Sequence, residues 1–161
     1  MEQRHRVVDT GELLETYREL LPQVDTLPLV VSGSSMTPFL VHGRDTVHIA
    51  AVGQKALKVG DIVLYQRDNK DYILHRVQKA CKGDLPRYNM IGDAHTIVEK
   101  NIRRDQIFGI VKWVDRKGKR EEPGTLCWDF FAAVWVRIIP LRPCLMRGYA
   151  ALQKLLGRNK N

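Results

Sequence analysis

The stretch Asp61-Ile62-Val63-Leu64-Tyr65-Gln66-Arg67-Asp68-Asn69-Lys70-Asp71-Tyr72-Ile73-Leu74-His75-Arg76-Val77 decides the fold class. Apolar residues fill both of its ends, and the polar run from Asp68 to Asp71 divides them. Gly60 supplies the turn into the first end. This is the pattern of a β-hairpin. Working outward, similar short runs recur at Leu29-Val30-Val31, at Asp45 to Ile49 (with Val47 and Ile49 on one face), at Tyr88 to Ile91 and at Ile107 to Val114. Together they predict a mainly β core of short strands over residues 27–116.

The flanks read differently. Over 10–21, Leu13, Leu14, Tyr17, Leu20 and Leu21 recur at helical spacing, with Thr10 as cap and Pro22 as stop. Residues 1–26 therefore form an N-terminal helical segment. Lys112 to Arg120 reads as a solvated, charged loop, and Lys117 to Gly124 ends the core. Residues 117–161 form a basic, aromatic, helical tail. Trp128, Phe130, Phe131, Val134, Trp135 and Ile138 make it apolar, Pro140 and Pro143 interrupt it, and a second helix is expected over 145–156.

With 161 residues, 44% apolar and 27% charged, the chain holds one domain's core and is neither disordered nor fibrous. The cysteines at 81, 127 and 144 are odd in number and widely spaced, which argues against a disulfide framework and a zinc site. The histidines at 5, 42, 48, 75 and 95 show no paired ligand spacing, so neither metal nor cofactor is expected. Charge is uneven: residues 1–99 sum to −1 and residues 100–161 to +9. A basic tail rich in tryptophan and phenylalanine suits a membrane surface, a membrane-protein partner through 125–157, or packing on the core. Glu2, Asp9, Glu12, Glu15 and Glu19 rule out a signal peptide in the first 26 residues, and Asp129 and Arg137 spoil the tail as a membrane span. With unpaired thiols, this places the expected location in the cytoplasm or at the membrane periphery.

Chemistry concentrates in Ser32-Gly33-Ser34-Ser35-Met36-Thr37-Pro38-Phe39-Leu40, a G-x-S-M-x-P sequence after a strand. Gly33 permits a tight turn and Pro38 stiffens the exit, so Ser35 is presented at a strand edge. A serine hydroxyl needs a base to take its proton. Leu74-His75-Arg76-Val77 offers one, forty residues on. Ile91-Gly92-Asp93 and Glu99 offer carboxylates that could orient the imidazole. His48 reads as an outward, solvated strand residue and His42 as a turn residue.

The order G-x-S-M-x-P, G-D-I-V, H-R-V, G-D resembles that of the signal peptidases and the related self-cleaving repressor peptidases, over about residues 27–115. Bacterial-type members and the repressors use lysine at the position matching His75. The endoplasmic-reticulum and archaeal type uses histidine within H-R-V, as here. The resemblance implies a signal-peptidase-like coiled β-core and a serine endopeptidase that cuts a precursor peptide or protein. In it Ser35 is the nucleophile, His75 the base, and Asp93 or Glu99 the orienting acid. Asp93 is favoured, matching the aspartate of the family's G-D-N. The turn at Gly33 and Ser34, with the Ser35 N–H, would supply the oxyanion hole. The sequence departs from the family pattern at Ala94, at Glu99 in place of aspartate, at Gly33 where many bacterial members have serine, and in lacking an N-terminal membrane span. With an ordinary imidazole, activity should fall below about pH 6. Two further readings are a self-processing regulatory peptidase and a non-catalytic β-module that binds lipid or nucleic acid through the tail. Nucleic acid is the disfavoured partner.

Overall fold

The computed structural model describes residues 10–158 apart from 55, 82 and 84; Glu2, His5 and Asp9 lie outside them. The chain is mainly β, with one N-terminal helix and two C-terminal ones. Helix α1 (Thr10–Leu20) runs into a 3-10 turn at Leu21–Gln23. Eight strands follow: β1 (Leu27–Val30), β2 (Thr46–Ala51), β3 (Ile62–Gln66), β4 (Tyr72–Cys81), β5 (Arg87–Ile91), β6 (Glu99–Arg103), β7 (Ile107–Arg116) and β8 (Lys119–Glu121). They form one antiparallel sheet in the order β1-β2-β7-β3-β4-β5-β6, with β8 paired to β7.

The expected hairpin is β3–β4, with Val63 opposite His75 and Tyr65 opposite Ile73. β3 is buried on both faces, and its alternation feeds two cores. Ile62 and Leu64 enter a cluster with Val31, Met36, Phe39 and Val111. Val63 and Tyr65 enter another with Val77, Tyr88, Met90 and Ile107. His75 and Arg76, being adjacent on a strand, point to opposite faces.

One expectation about a charged segment is corrected. Lys112 to Arg116 lies within β7, and Lys119 to Glu121 is β8, so the run 112–120 is a hairpin rather than a solvated loop. Its two-residue turn has positive φ at both Lys117 (51°) and Gly118 (73°), the geometry that matches strand twist. Lys112, Asp115, Lys119 and Arg120 lie at exposed sheet positions, and Arg116 and Glu121 at half-buried ones. β6 was also not anticipated; its lysine, asparagine and arginine give little apolar alternation.

The tail divides between core and solvent. Helix α2 (Leu126–Asp129) is capped by the Thr125 hydroxyl and continues as a π-helical turn over Phe130–Trp135. Trp128, Phe131 and Trp135 are buried in the first cluster, where Phe39 packs against Trp128 and Phe131. Gly60 makes room for this turn: it has φ 98°, and a Cβ there would stand 2.7 Å from the Ala132 carbonyl oxygen. Helix α3 (Arg142–Arg158) begins earlier than expected. Pro143 starts it rather than interrupting it, because a first-turn residue needs no N–H partner. β1 is an edge strand whose Pro28 carbonyl accepts a hydrogen bond from the Tyr17 hydroxyl.

Phe131→Ala should cost about 3–5 kcal/mol, the usual loss for a core aromatic. Urea denaturation checks it; a residue outside the core would cost within about 0.5 kcal/mol.

Candidate active site

The serine loop is anchored from below. Met36, Phe39 and Leu40 are buried in the first cluster, and the Arg116 guanidinium donates to the Phe39 carbonyl at 2.7 Å. Within the loop, Thr37 N–H donates to Ser34 O and Leu40 N–H to Met36 O. Gly33 sits at φ 81°, where a side chain would be strained. Three buried side chains thus hold a turn whose top carries Ser35, itself half-buried.

Not every expected oxyanion donor is available. The Gly33 N–H donates to His42 Nδ1 at 3.1 Å, so it is taken. Among the described residues the backbone N–H groups of Ser34 and Ser35 have no hydrogen-bond acceptor.

A second loop, just past β5, docks onto this one. Ala94 N–H donates to the Ser35 carbonyl at 2.9 Å. Gly92 is squeezed between the two partners: a Cβ built on it would lie 2.5 Å from Ser35 O, 3.0 Å from His75 Nε2 and 3.0 Å from His95 Nδ1. This backbone position therefore brings Ser35 and the imidazole together. No hydrogen bond joins the Ser35 hydroxyl to His75 among the described residues. Catalytic contacts of this kind often tighten only with substrate bound.

His75 is 5% exposed. Its Nδ1 lies 3.3 Å from the Tyr65 hydroxyl, the diagonal neighbour in the hairpin register. Tyr65 donates its only proton to Glu99 at 2.7 Å, and Arg67 holds Glu99 with two hydrogen bonds of 2.8 and 2.7 Å. Since that proton is spent on a carboxylate, Nδ1 must carry the hydrogen and donate to the Tyr65 oxygen. Nε2 is then the unprotonated nitrogen, and it is the one that faces Gly92 and the serine loop.

Electrostatics keep this chain in that state. Burial, opposed by the Arg67 and Tyr65 hydrogen bonds, leaves the Glu99 carboxyl below its usual range and so ionised. Burial first, and Glu99 second, push the Tyr65 phenol far above its ordinary value, so it stays a donor. Burial lowers His75 to about 4, with His95 adding to the shift and Glu99 opposing it. The imidazole is thus neutral well below pH 6. The expected acid limit near pH 6 assumed a solvated ring and is displaced by burial.

Asp93 does other work. It and Arg76 are both 0% exposed and form a two-pronged ion pair of 3.0 and 2.9 Å. Arg76 also donates to Gly60 O and lies over the Phe39 ring at 5.2 Å. No hydrogen bond links Asp93 to His75 among the described residues; its carboxylate is on the other side of β4. Of the two candidate acids, Glu99 is the one joined to His75, through Tyr65.

The tail closes the loop from behind. The Trp135 indole N–H donates to Asp93 O at 2.8 Å. Arg142, fully buried, donates to the carbonyls of Gly92 (2.8 Å), His95 (2.7 Å) and Trp135 (2.9 Å). Tyr65, Arg67, Trp135 and Arg142 were not anticipated as site residues. Tyr65 sits diagonally across the hairpin from His75, but only the pairing register shows it. His48, expected to be solvated, stacks on Trp113 and bonds Asp115 at 2.7 Å. His95 is exposed beside the site, its ring edge-on to His75.

No protein-family model matches the chain, and a search of curated proteins found no match.

A small cavity of about 130 Å³ adjoins the serine, lined by Val31, Gly33, Ser35, Met36, Ile73 and Leu74. A cavity of about 440 Å³ lies next to it, between α1, β1 and β4. Larger cavities of about 520 and 720 Å³ share no residue with the site.

Asp93→Ala should cost about 3–5 kcal/mol in urea denaturation, because it strands a buried guanidinium. Gly92→Ala should reduce any activity of the site sharply, since its methyl would meet the Ser35 carbonyl oxygen, a backbone atom that cannot swing away. A Gly92→Ala protein with an unchanged melting curve and unchanged serine reactivity would contradict this geometry.

Proposed function

We propose that the protein is a serine endopeptidase of signal-peptidase-like type that cleaves a precursor peptide or protein. The observation that carries this reading is the convergence at Gly92: an unprotonated imidazole nitrogen and the nucleophile's own backbone flank a single backbone position. The resemblance of the ordered motifs supports the same reaction.

In this reading His75 Nε2 removes the Ser35 proton as Oγ attacks the scissile carbonyl carbon. Negative charge collects on the carbonyl oxygen, where the Ser34 and Ser35 N–H groups are the available donors. Breaking the C–N bond sends the His75 proton to the leaving amine and leaves an acyl ester on Ser35. Water, deprotonated by the same nitrogen, attacks the ester; the C–O bond to Ser35 breaks, the serine oxygen takes the proton back from His75, and the product leaves as a carboxylic acid that ionises in water. Tyr65, with Glu99 behind it, is the positioning residue that holds Nδ1–H and steadies the imidazolium when it forms.

The open edge of β1 suits main-chain pairing with an extended substrate. The cavity of about 130 Å³ beside Ser35 favours a small side chain before the cut. No helix among the described residues is long and apolar enough to cross a membrane.

An acylating serine probe followed by mass spectrometry tests the proposal. Labelling should fall on Ser35 and drop at least about a thousandfold in His75→Ala. Labelling of His75→Ala at the parent rate would end the peptidase reading.

The rate of labelling against pH should hold down to an acid limb near pH 4, since His75 is neutral above that value. Tyr65→Phe should slow labelling about tenfold, the worth of one orienting hydrogen bond. Glu99→Gln should move the acid limb lower still, because it removes the charge that favours the protonated ring.

A further inference from the structure

The charged side chains from residue 130 to residue 161 are Arg137, Arg142, Arg147, Lys154, Arg158 and Lys160, all of them basic. Arg142 is buried among carbonyls, whereas Arg137, Arg147 and Lys154 are exposed. The same segment exposes large apolar groups. Leu126, Phe130 and Val134 recur every fourth residue, and Leu141 just before α3 and Leu145 and Leu152 within it are exposed too, with exposures from 43% (Phe130) to 92% (Leu126). From Arg147 to Lys154, every residue whose side chain is described is exposed apart from Tyr149. So many exposed leucines on one segment mark an interaction surface rather than a core face.

We propose that α3 and the outer face of 126–134 dock onto an anionic lipid surface. From Arg137 onward exposed apolar side chains are interleaved with basic ones and no Asp or Glu occurs, which matches the boundary between acyl chains and negative headgroups; over 126–134 the one charged side chain is Asp129, whose carboxylate accepts from the Gly124 N–H. A second copy is a poorer occupant, because a self-complementary contact would set this basic face against itself. The surface is argued from exposure and charge, independently of the peptidase reading. Trp135 bonds the Asp93 carbonyl, and Arg142 bonds those of Gly92 and His95, so the docking segment is tied to the loop beside Ser35. Docking therefore holds that loop at the lipid surface, where a membrane-associated precursor would be met.

Flotation of the full chain carrying Ser35→Ala, with vesicles of equimolar phosphatidylcholine and phosphatidylglycerol, tests this. Binding is expected, and it should be much weaker on phosphatidylcholine alone and at high salt. Leu145→Glu with Leu152→Glu should weaken it about a hundredfold, from loss of two buried leucines. The same pair should leave the urea midpoint unchanged, because both side chains are exposed. Failure to bind the mixed vesicles, or undiminished binding by the double variant, overturns the proposal. So does a dimer in light scattering that the double variant dissolves, which would make a second copy the occupant. Because the protein tested lacks the Ser35 hydroxyl, these outcomes do not depend on whether it is a peptidase.

Discussion

The contact between the serine loop and the loop after β5 leaves no room for a side chain at Gly92. Two segments far apart in sequence meet there backbone to backbone, and the 2.9 Å bond from Ala94 N–H to Ser35 O fixes their spacing. Other parts of the structure hold this approach from different directions. Met36, Phe39 and Leu40 secure one loop from the core. The Arg76–Asp93 pair secures the other from beneath, and Trp135 with Arg142 secures it from behind. Buried guanidinium groups are costly unless every donor finds a partner. Here both are satisfied by groups whose positions matter, so the cost is tied to the geometry of one site.

The polar chain behind His75 runs in the opposite direction from the ion pair. Strand alternation sends residue 75 to one face and residue 76 to the other. The face of His75 offers Tyr65 and Glu99, and the face of Arg76 offers Asp93. Placing a neutral phenol between imidazole and carboxylate changes the electrostatics. The full negative charge stays one residue away, so burial dominates the imidazole and lowers its affinity for protons.

The strands were legible because short apolar runs separated by turn residues leave few alternatives, and the β3–β4 hairpin announced itself through its polar loop. Motif order singled out Ser35 and His75, and the fold sets the Ser35 carbonyl and the His75 ring on two sides of Gly92. The partner of His75 did not. Reading Tyr65 from sequence requires the pairing register, which a five-residue loop between two apolar strands does not define. Asp93 drew attention because it matches the aspartate of the G-D-N segment in the family the motifs resemble, yet nothing local announces that its carboxylate is claimed by the residue after the histidine. Arg142 was hidden for a related reason: an arginine beside a proline reads as a surface residue until a cage of carbonyls is assembled from Trp135 nearby and from the distant Gly92 and His95. β8 escaped notice because its residues are charged, and only the backbone angles of Lys117 and Gly118 reveal the turn that makes it.

In β1, residues 28 and 30 direct their backbone groups away from β2, because Val31 turns its own inward to Gly43 and Asp45. Pro28 has no hydrogen to offer on that side, and its oxygen is already occupied by Tyr17. Neighbouring molecules therefore cannot zip along the whole margin and stack into fibres. What stays open is a brief stretch at Val30 and Ser32, enough to grip two or three residues of an incoming chain immediately ahead of the serine turn.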